Sequence, residues 1–354
     1  MNTHGDWNLL LSFLPDGWEA SAVQHGAWTR RRGFDSPEAL LRTLLIHLAQ
    51  GCSLRETAVR ARRGGVASVS DVALLKRLRK SESWLHDLCR GLCEAAPMPI
   101  MRLSKRWRLT AVDATHISEP GSTGTNWRLH YALDLPSLAC THFELTGPSG
   151  AESFERFPLR RGDLVLADRA YCKVGDIRRV LRRGAHVLVR MKLSQNNFYV
   201  GEPLARFDFL EAASDLEPDQ AIDWRGALMD KSGSGSVPGR LCLVRRPDEV
   251  ADMARRKILR EAKKKGRRVR ARTLRAAAYV GVFCTAPQPD LSAQDLLAIY
   301  RFRWQIELAF KRLKSITNFG HLPKRDPTSC RAWLYGKLLL GLLVERMAQA
   351  PFFP

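Results

Sequence analysis

Four polar side chains recur at helical spacing near the C-terminus. Tyr300, Arg303, Glu307 and Lys314 follow one another at intervals of three, four and seven residues, and side chains at those intervals share one face of an α-helix. The spacing predicts a single helix over 300–314, with a phenol, a guanidinium, a carboxylate and an ammonium on one stripe. A carboxylate can hold a divalent cation and the flanking cations can bind phosphates. This combination suggests chemistry on a nucleic-acid backbone.

Two more carboxylates stand where a charge is costly. Asp113 lies among apolar residues of a predicted strand, and Asp168 ends an almost continuously apolar strand. An unpaired carboxylate in such surroundings is unfavourable unless it binds a proton, a cation or a metal. Each could instead form a salt bridge, because the chain is rich in arginine. If both converge with Glu307, the three form an oxygen cage suited to two Mg²⁺ or Mn²⁺ ions, which can activate a water or a 3′-hydroxyl.

The composition predicts a polyanionic partner. Lys and Arg number 57 against 36 Asp and Glu, which gives a formal charge of +21 and a pI near 10.2. Such a chain is expected to bind DNA with salt-dependent affinity, although a basic protein bound for ribosomes or membranes has the same composition. No apolar stretch reaches the roughly 18 residues of a membrane span, and the N-terminus lacks a secretory pattern. We therefore expect a cytoplasmic protein that makes no membrane contact. The eight scattered cysteines are expected to be reduced thiols, with neither zinc nor disulfides.

Residues 1–104 are predicted to form an all-α N-terminal DNA-binding domain. Ser53 and Ser70 precede two helical segments that are separated by Gly64-Gly65, and serine is a favoured N-cap. The second segment is basic, so the pair resembles a helix-turn-helix in which Lys76 and Arg77 contact DNA. An ordinary basic face of a helical bundle is the alternative.

The remaining chain predicts an α/β fold with a ribonuclease H-like catalytic core. Residues 105–192 show three meandering strands, a buried strand, a helix and a further strand, the order of the first part of such a core. In that core the first and fourth strands are neighbours, so Asp113 and Asp168 are expected to converge. Residues 193–287 are predicted to be a β-rich insertion with a basic segment. Residues 288–354 are predicted to be the C-terminal helical part of the core.

The motifs together resemble the DDE transposases of bacterial insertion sequences. These motifs are Val112-Asp113-Ala114-Thr115, Leu166-Ala167-Asp168-Arg169-Ala170-Tyr171 and Tyr300-x2-Arg303-x3-Glu307-x6-Lys314. The resemblance covers roughly residues 35–345 and is to the cut-and-paste type with a Tyr-Arg-Glu-Lys signature, insertion-sequence family four. It implies a bacterial, nucleoid-associated enzyme in which Asp113, Asp168 and Glu307 are the catalytic, metal-binding triad for two Mg²⁺ or Mn²⁺ ions.

The resemblance also implies how DNA is handled. A homodimer would bind double-stranded DNA, namely the terminal inverted repeats and the target. It would nick each end, form a hairpin through the freed 3′-hydroxyl, reopen it and join both 3′ ends to the target. An aromatic side chain from the insertion would hold a flipped base; Trp224 and Tyr279 are the candidates, and core packing is the alternative for both. The predicted DNA-binding residues outside the N-terminal domain are Tyr300, Arg303, Lys314, Lys311, Arg169, Lys263, Lys264 and Arg267.

Two rival functions stay open at the level of sequence. One is a domesticated transposase that binds specific DNA without catalysis, and the other is a metal-dependent nuclease without strand transfer. Among the accessory residues, His116 is expected to be structural, although it could lie near the metals. Trp304 and Phe310 are expected to anchor their helix in the core.

Overall fold

A computed structural model describes residues 3–95, 107–195, 197–230, 232–233, 235–287 and 291–349. Its N-terminal part is helical. The serine side chains at positions 36, 53 and 70 each accept a hydrogen bond from the backbone N–H three residues ahead, so three of the helices begin at a capping serine. The helices are α1 (Thr3–Leu11), α2 (Trp18–Gln24), α3 (Pro37–Gln50), α4 (Leu54–Arg63), α5 (Asp71–Lys80) and α6 (Glu82–Glu94).

The centre of the fold is one mixed sheet of ten strands. In spatial order the strands are β3-β2-β1-β4-β5-β10-β9-β8-β6-β7. Their bounds are β1 (Arg108–Ile117), β2 (Trp127–Asp134), β3 (Cys140–Thr146), β4 (Asp163–Ala167), β5 (His186–Arg190), β6 (Phe198–Val200), β7 (Ala205–Arg206), β8 (Ala221–Met229), β9 (Ser236–Arg245) and β10 (Tyr279–Cys284).

The first five strands have the order and directions predicted from the sequence. Strands β1, β2 and β3 form an antiparallel meander. Strand β4 runs parallel to β1, and β5 runs parallel to β4. Helix α7 (Val174–Arg182) connects β4 to β5 and packs against β5. The prediction of a mixed α/β fold is confirmed, and this half of the sheet fits the predicted ribonuclease H-like core.

The segment 193–287 extends the same sheet. Strand β10 pairs with β5, β9 pairs with β10, and β8 pairs with β9. Between strands lie α8 (Phe209–Ala212), α9 (Asp248–Lys264) and α10 (Ala271–Ala276). Most of the basic run noted in the sequence therefore lies on helices, and α9 alone has 17 residues.

The C-terminal part contains three helices, α11 (Ala293–Arg301), α12 (Trp304–Thr317) and α13 (Pro327–Gln349). The prediction of one continuous helix over 300–314 is wrong, because a tight turn separates α11 from α12. There the N–H groups of Phe302, Arg303 and Gln305 bond to carbonyls three residues back, as in a 3₁₀ turn. Tertiary contacts explain the break, since Tyr300 and Arg303 both reach out to the sheet.

Helix α13 joins the N-terminal helices to the core. It packs against α3, α5, α6 and α12, and side chains of the N-terminal helices share one hydrophobic cluster with strands β1 and β2. That residues 1–104 form a DNA-binding domain of their own stays a prediction. None of the helices in the described part of the chain combines the length and apolar character that a bilayer span needs.

Candidate active site

Neighbouring parallel strands bring two of the predicted carboxylates together. Ala111 of β1 lies opposite Leu166 of β4, and two residues further along each chain stand Asp113 and Asp168. Asp168 follows the last residue of β4, and its Oδ1 accepts a hydrogen bond of 2.7 Å from the N–H of Ala170. The side chain of Asp113 accepts a bond of 2.8 Å from the N–H of Ala114. The predicted convergence of the two aspartates is therefore present at this edge of the sheet.

The third carboxylate comes from α12, which packs against β1. Glu307 lies in the first turn of this helix. Arg303, at the N-cap position, donates a hydrogen bond to the Oε1 atom of Glu307. Its other terminal nitrogen lies 3.8 Å from Oδ2 of Asp113. One guanidinium therefore contacts two of the three carboxylates.

All three carboxylates line one cavity of about 640 Å³. Six Arg or Lys side chains and four carboxylates face it among the described residues, so the cavity is polar and carries an excess of positive charge. These charged residues are Asp113, Asp168, Glu261, Glu307, Arg169, Arg190, Lys192, Arg246, Lys257 and Arg303. A cationic cavity with carboxylates in its wall can take a phosphodiester and hold a cation beside it.

The electrostatics at Asp113 are those of a crowded anionic site. Burial raises the pKa of the Asp113 carboxyl from its ordinary 3.8 to about 7. The hydrogen bond from Ala114 opposes this shift, the charge of Asp168 adds to it, and the charge of Arg303 opposes it again. Burial disfavours the ionised carboxylate because it takes that group out of water. A bound cation would favour the ionised form, because it supplies an opposite charge nearby.

The residues at this site fit a divalent cation in their chemistry. Carboxylate oxygens are the ligands that Mg²⁺ and Mn²⁺ prefer. Across the described ranges, however, no three His, Cys, Asp or Glu side chains stand close enough to hold one ion. The Arg303 guanidinium binds Glu307 and lies against Asp113, so it occupies carboxylate oxygens that a cation would need. The types of donor atom are therefore suitable, and that these residues hold a cation stays a prediction.

The other signature residues lie around these carboxylates. The Tyr300 hydroxyl donates a bond of 3.1 Å to the carbonyl of Ala167, the residue before Asp168, and burial raises the pKa of Tyr300 to about 12. Lys311 and Lys314 line an adjoining groove along α12 together with Glu307. The groove thus continues from the carboxylates toward the C-terminal end of α12.

Several predicted DNA-binding residues lie away from the cavity. Lys263 and Lys264 end α9, and Arg267 follows them; all three are exposed. Lys76 and Arg77 are on α5, where they line a separate groove. The guanidinium of Arg77 donates a bond of 3.2 Å to the Ala27 carbonyl. Arg169, in contrast, lines the cavity of the three carboxylates. Their binding of DNA stays a prediction.

The aromatic candidates differ in their positions. Tyr279 lines the cavity, and its hydroxyl donates to the carbonyl of Ala213. Trp224 lies on β8 with its ring packed edge-on against Phe207. Whether either holds a flipped base stays a prediction.

The structure can be compared with the expectations for three accessory residues, namely Trp304, Phe310 and His116. The expectation that Trp304 is a core anchor is wrong, because this first residue of α12 is 55 % exposed. Phe310 is 8 % exposed and packs edge-on against Tyr131, as expected of an anchor. The Nδ1 atom of His116 lies 2.9 Å from the hydroxyl of Thr125, which agrees with a structural role.

One face of α9 belongs to the cavity and escaped the sequence analysis. Ala254, Lys257, Ile258 and Glu261 all line it. Their spacing of three, one and three residues marks one helical face, so a search for helical periodicity in the basic run would have found them. Arg246 lines the cavity as well; it follows β9 by one residue and carries no such signal.

The known proteins that are similar to this chain are transposases. Residues 107–343 match the family model described as a transposase DDE domain. The chain is 35% identical over 98% of its length to the putative transposase InsL of insertion sequence element IS186A from Escherichia coli K12, and covers 95% of that protein. It is also 35% identical, over the same shares of both chains, to the transposase of insertion sequence element IS421 from Escherichia coli.

More distant relatives are similar over less of their length. The transposase of insertion sequence element IS231F from Bacillus thuringiensis subsp. israelensis is 26% identical over 71% of this chain and 59% of its own. Among solved structures, a piggyBac transposase synaptic complex with hairpin DNA aligns with a TM-score of 0.47 and 8% identity, over 97% of this chain and 80% of that one.

Proposed function

This chain belongs to the family of DDE transposases, and we propose that Asp113, Asp168 and Glu307 are the three carboxylates with which it cuts and joins DNA. The family match and the relatives of insertion sequences make the protein a DNA transposase. One observation supports the assignment of the residues: these three carboxylates line the same cationic cavity, and Arg303 contacts two of them.

The three carboxylates would hold divalent cations, Mg²⁺ or Mn²⁺. Two such ions at one site would supply Lewis-acid stabilisation of the attacking and leaving oxygens of an in-line displacement. The side chains of this chain prepare that site. Asp113 and Asp168 are fixed by bonds to the backbone N–H groups of Ala114 and Ala170. Glu307 is placed by its helix, and Arg303 compensates its charge until the cation and the DNA arrive.

The cations around the carboxylates would position the DNA. Lys311 and Lys314 follow Glu307 along one groove and are suited to bind consecutive phosphates of the transposon end. Arg303, once released from Glu307, is available for the scissile phosphate. Tyr300 holds α11 against the end of β4 through its bond to Ala167, which keeps Asp168 and the signature residues in one arrangement.

The details of the reaction follow from the Tyr-Arg-Glu-Lys subgroup, to which we assign the chain on its signature residues. The freed 3′-hydroxyl would attack the opposite strand and displace one oxygen of its phosphodiester, which closes a hairpin with no net change in the number of phosphodiester bonds. Tyr279 in the cavity wall is the better placed of the two aromatic candidates for a flipped base. A homodimer would pair the two ends.

The experiment that tests this function uses purified protein and duplex DNA that carries the inverted repeats flanking the gene. With Mg²⁺ or Mn²⁺ we expect nicked ends, hairpin ends and products joined to a target plasmid, and with EDTA none of these. Nicks without joined products would indicate a nuclease. Binding without any cleavage would indicate a non-catalytic DNA-binding protein. Joined products without hairpins would contradict only the proposed hairpin route.

A further inference from the structure

A second cavity lies where the N-terminal helices meet the C-terminal part of the core. We call it the junction cavity; it has a volume of about 570 Å³ and is formed by the α3–α4 turn, the end of α12 and the start of α13. Its walls are largely apolar, with Leu54, Leu75 and Leu322 among them. Its charged side chains are mostly cationic, since Arg79, Lys324 and Lys337 line it against one carboxylate, that of Asp326.

The most unusual member is Lys337, in the middle of α13. It is only 3 % exposed, and its Nζ atom lies 4.8 Å from the centre of the Trp333 ring. Burial lowers the pKa of Lys337, and burial likewise lowers the pKa of Lys324. Within the described ranges neither lysine has a carboxylate oxygen within 4.0 Å, while Asp326 pairs with Arg79 at 3.2 Å and accepts a bond from Ser329. A buried cation without a paired anion is unfavourable, so an anion that enters the cavity beside the two lysines would be stabilised.

A second buried polar group at this cavity also lacks a partner. His47 is buried, and its Nδ1 atom lies 2.7 Å from the carbonyl of Cys52, to which it must donate. Its Nε2 atom is buried without a hydrogen-bond partner among the described residues. Burial, and then the charge of Lys324, lower the pKa of His47 to about 4. The neutral ring therefore leaves an unused acceptor at a cationic cavity, where a water or a protonated anion can donate to it.

The backbone adds positive potential at the same place. Ser53 caps α4, and both Ser53 and Leu54 line the cavity. The first N–H groups of a helix carry partial positive charge and favour anions. Lys337, Lys324 and the N-terminus of α4 thus approach one space from three different elements.

We propose that the junction cavity binds a phosphate group, carried either by a DNA strand or by a free phosphate ester. Its volume falls in the range of small-molecule sites, which is large enough for one nucleotide unit. Asn318, at the end of α12, lines the cavity, and it lies 11 residues beyond Glu307, about 16 Å along the helix axis. That distance corresponds to about five base pairs of duplex. A strand bound at the carboxylates can therefore reach it, although the site itself does not rest on the proposed catalytic triad.

The test compares wild-type protein with Lys337→Met and Lys324→Met, and with Arg182→Met as the charge-matched control. Arg182 is an exposed residue of α7. The melting temperature is measured with inorganic phosphate and with deoxyadenosine monophosphate, and binding of a mixed-sequence duplex is measured across salt concentrations. Methionine keeps the length of lysine without its charge, so we expect Lys337→Met to fold and to melt at or above the wild-type temperature without ligand.

Two results support the proposal and identify the source of the phosphate. If a free ester is the ligand, phosphate or the nucleotide raises the melting temperature of wild type and Arg182→Met, and the shift is lost in both lysine variants. If DNA is the source, free esters have no effect, and the salt slope of duplex binding falls by about 0.9 in each lysine variant relative to Arg182→Met. The proposal is overturned if the lysine variants match Arg182→Met in both measurements.

Discussion

Arg303 donates a hydrogen bond to Glu307, the residue four positions later, from the tight turn that separates α11 from α12. The same guanidinium lies 3.8 Å from Asp113. In this arrangement Arg303 contacts two of the three carboxylates and keeps Glu307 engaged. Assembly of the metal site and release of Arg303 are therefore expected to be coupled.

The first prediction concerns this coupling. Replacing Arg303 by glutamine should increase the affinity for Mn²⁺ by about tenfold, because a hydrogen bond between charged groups is worth about 1.5–3 kcal/mol and no longer competes for Glu307. Titration of free Mn²⁺ by electron paramagnetic resonance measures the affinity. Arg301→Gln removes the same charge from an exposed position two residues away. Equal Mn²⁺ affinities in the two variants would show that Arg303 does not compete with the metal ion for Glu307.

The second prediction concerns pH. The pKa of Asp113 is raised to about 7, above the ordinary 3.8 of an unfolded chain, so the folded state binds the proton more tightly. Its contribution to stability is present below about pH 4 and is lost as the pH rises through 7. Asp113→Asn removes this dependence. In EDTA, the variant should exceed wild type in the free energy of unfolding at pH 8 by roughly 1–4 kcal/mol, with the gap closing toward pH 4.

Urea denaturation at several pH values measures this difference. Asp215→Asn, an exposed carboxylate, is the control and should show no such trend. A gap that stays constant or widens toward low pH would contradict the raised pKa of Asp113.

The third prediction separates the two aromatic residues near the signature. Phe310→Ala should lower the free energy of unfolding by about 3–5 kcal/mol, because a buried ring is replaced by a cavity. Trp304→Ala should change it by less than about 0.5 kcal/mol, because the indole is exposed. Chemical denaturation distinguishes them, and a large loss in Trp304→Ala would place that ring in a buried contact.

The fourth prediction concerns the link between α11 and β4. Tyr300→Phe keeps the ring and removes the hydroxyl that donates to Ala167, so it should cost about 0.5–1.5 kcal/mol of stability. Tyr199→Phe, at a partly buried position of β6, is the control substitution. A Tyr300→Phe protein as stable as wild type would mean that this bond is replaced by solvent.

Much of the site could be predicted because it depends on local patterns. The apolar run before Asp168 marks a strand buried on both faces, and the alternation around Asp113 marks its neighbour. The meander, buried strand and helix then leave few ways to arrange the strands, which explains why their order was predictable. The serine caps at positions 36, 53 and 70 likewise act within one turn of chain.

Other features depend on contacts between distant parts of the chain. The break between α11 and α12 arises where Tyr300 reaches β4 and Arg303 reaches β1, 133 and 190 residues away in sequence. The helical periodicity of the sequence does not indicate such contacts. The exposure of Trp304 follows from the same break. The junction cavity depends on how α13 packs against the N-terminal helices, which no local pattern encodes.

The most direct test of the catalytic assignment is the cleavage rate of Asp168→Asn and Glu307→Gln on DNA that carries the element's ends, with Mg²⁺. The exposed residues Asp215 and Glu249 supply the matched amide substitutions as controls. We predict a loss of at least about 10³-fold in both site variants, because metal-assisted stabilisation is worth several kcal/mol. The site variants should bind the same DNA about as well as wild type. The two control variants should cleave it at about the wild-type rate. Cleavage at the wild-type rate by either site variant would contradict the assignment.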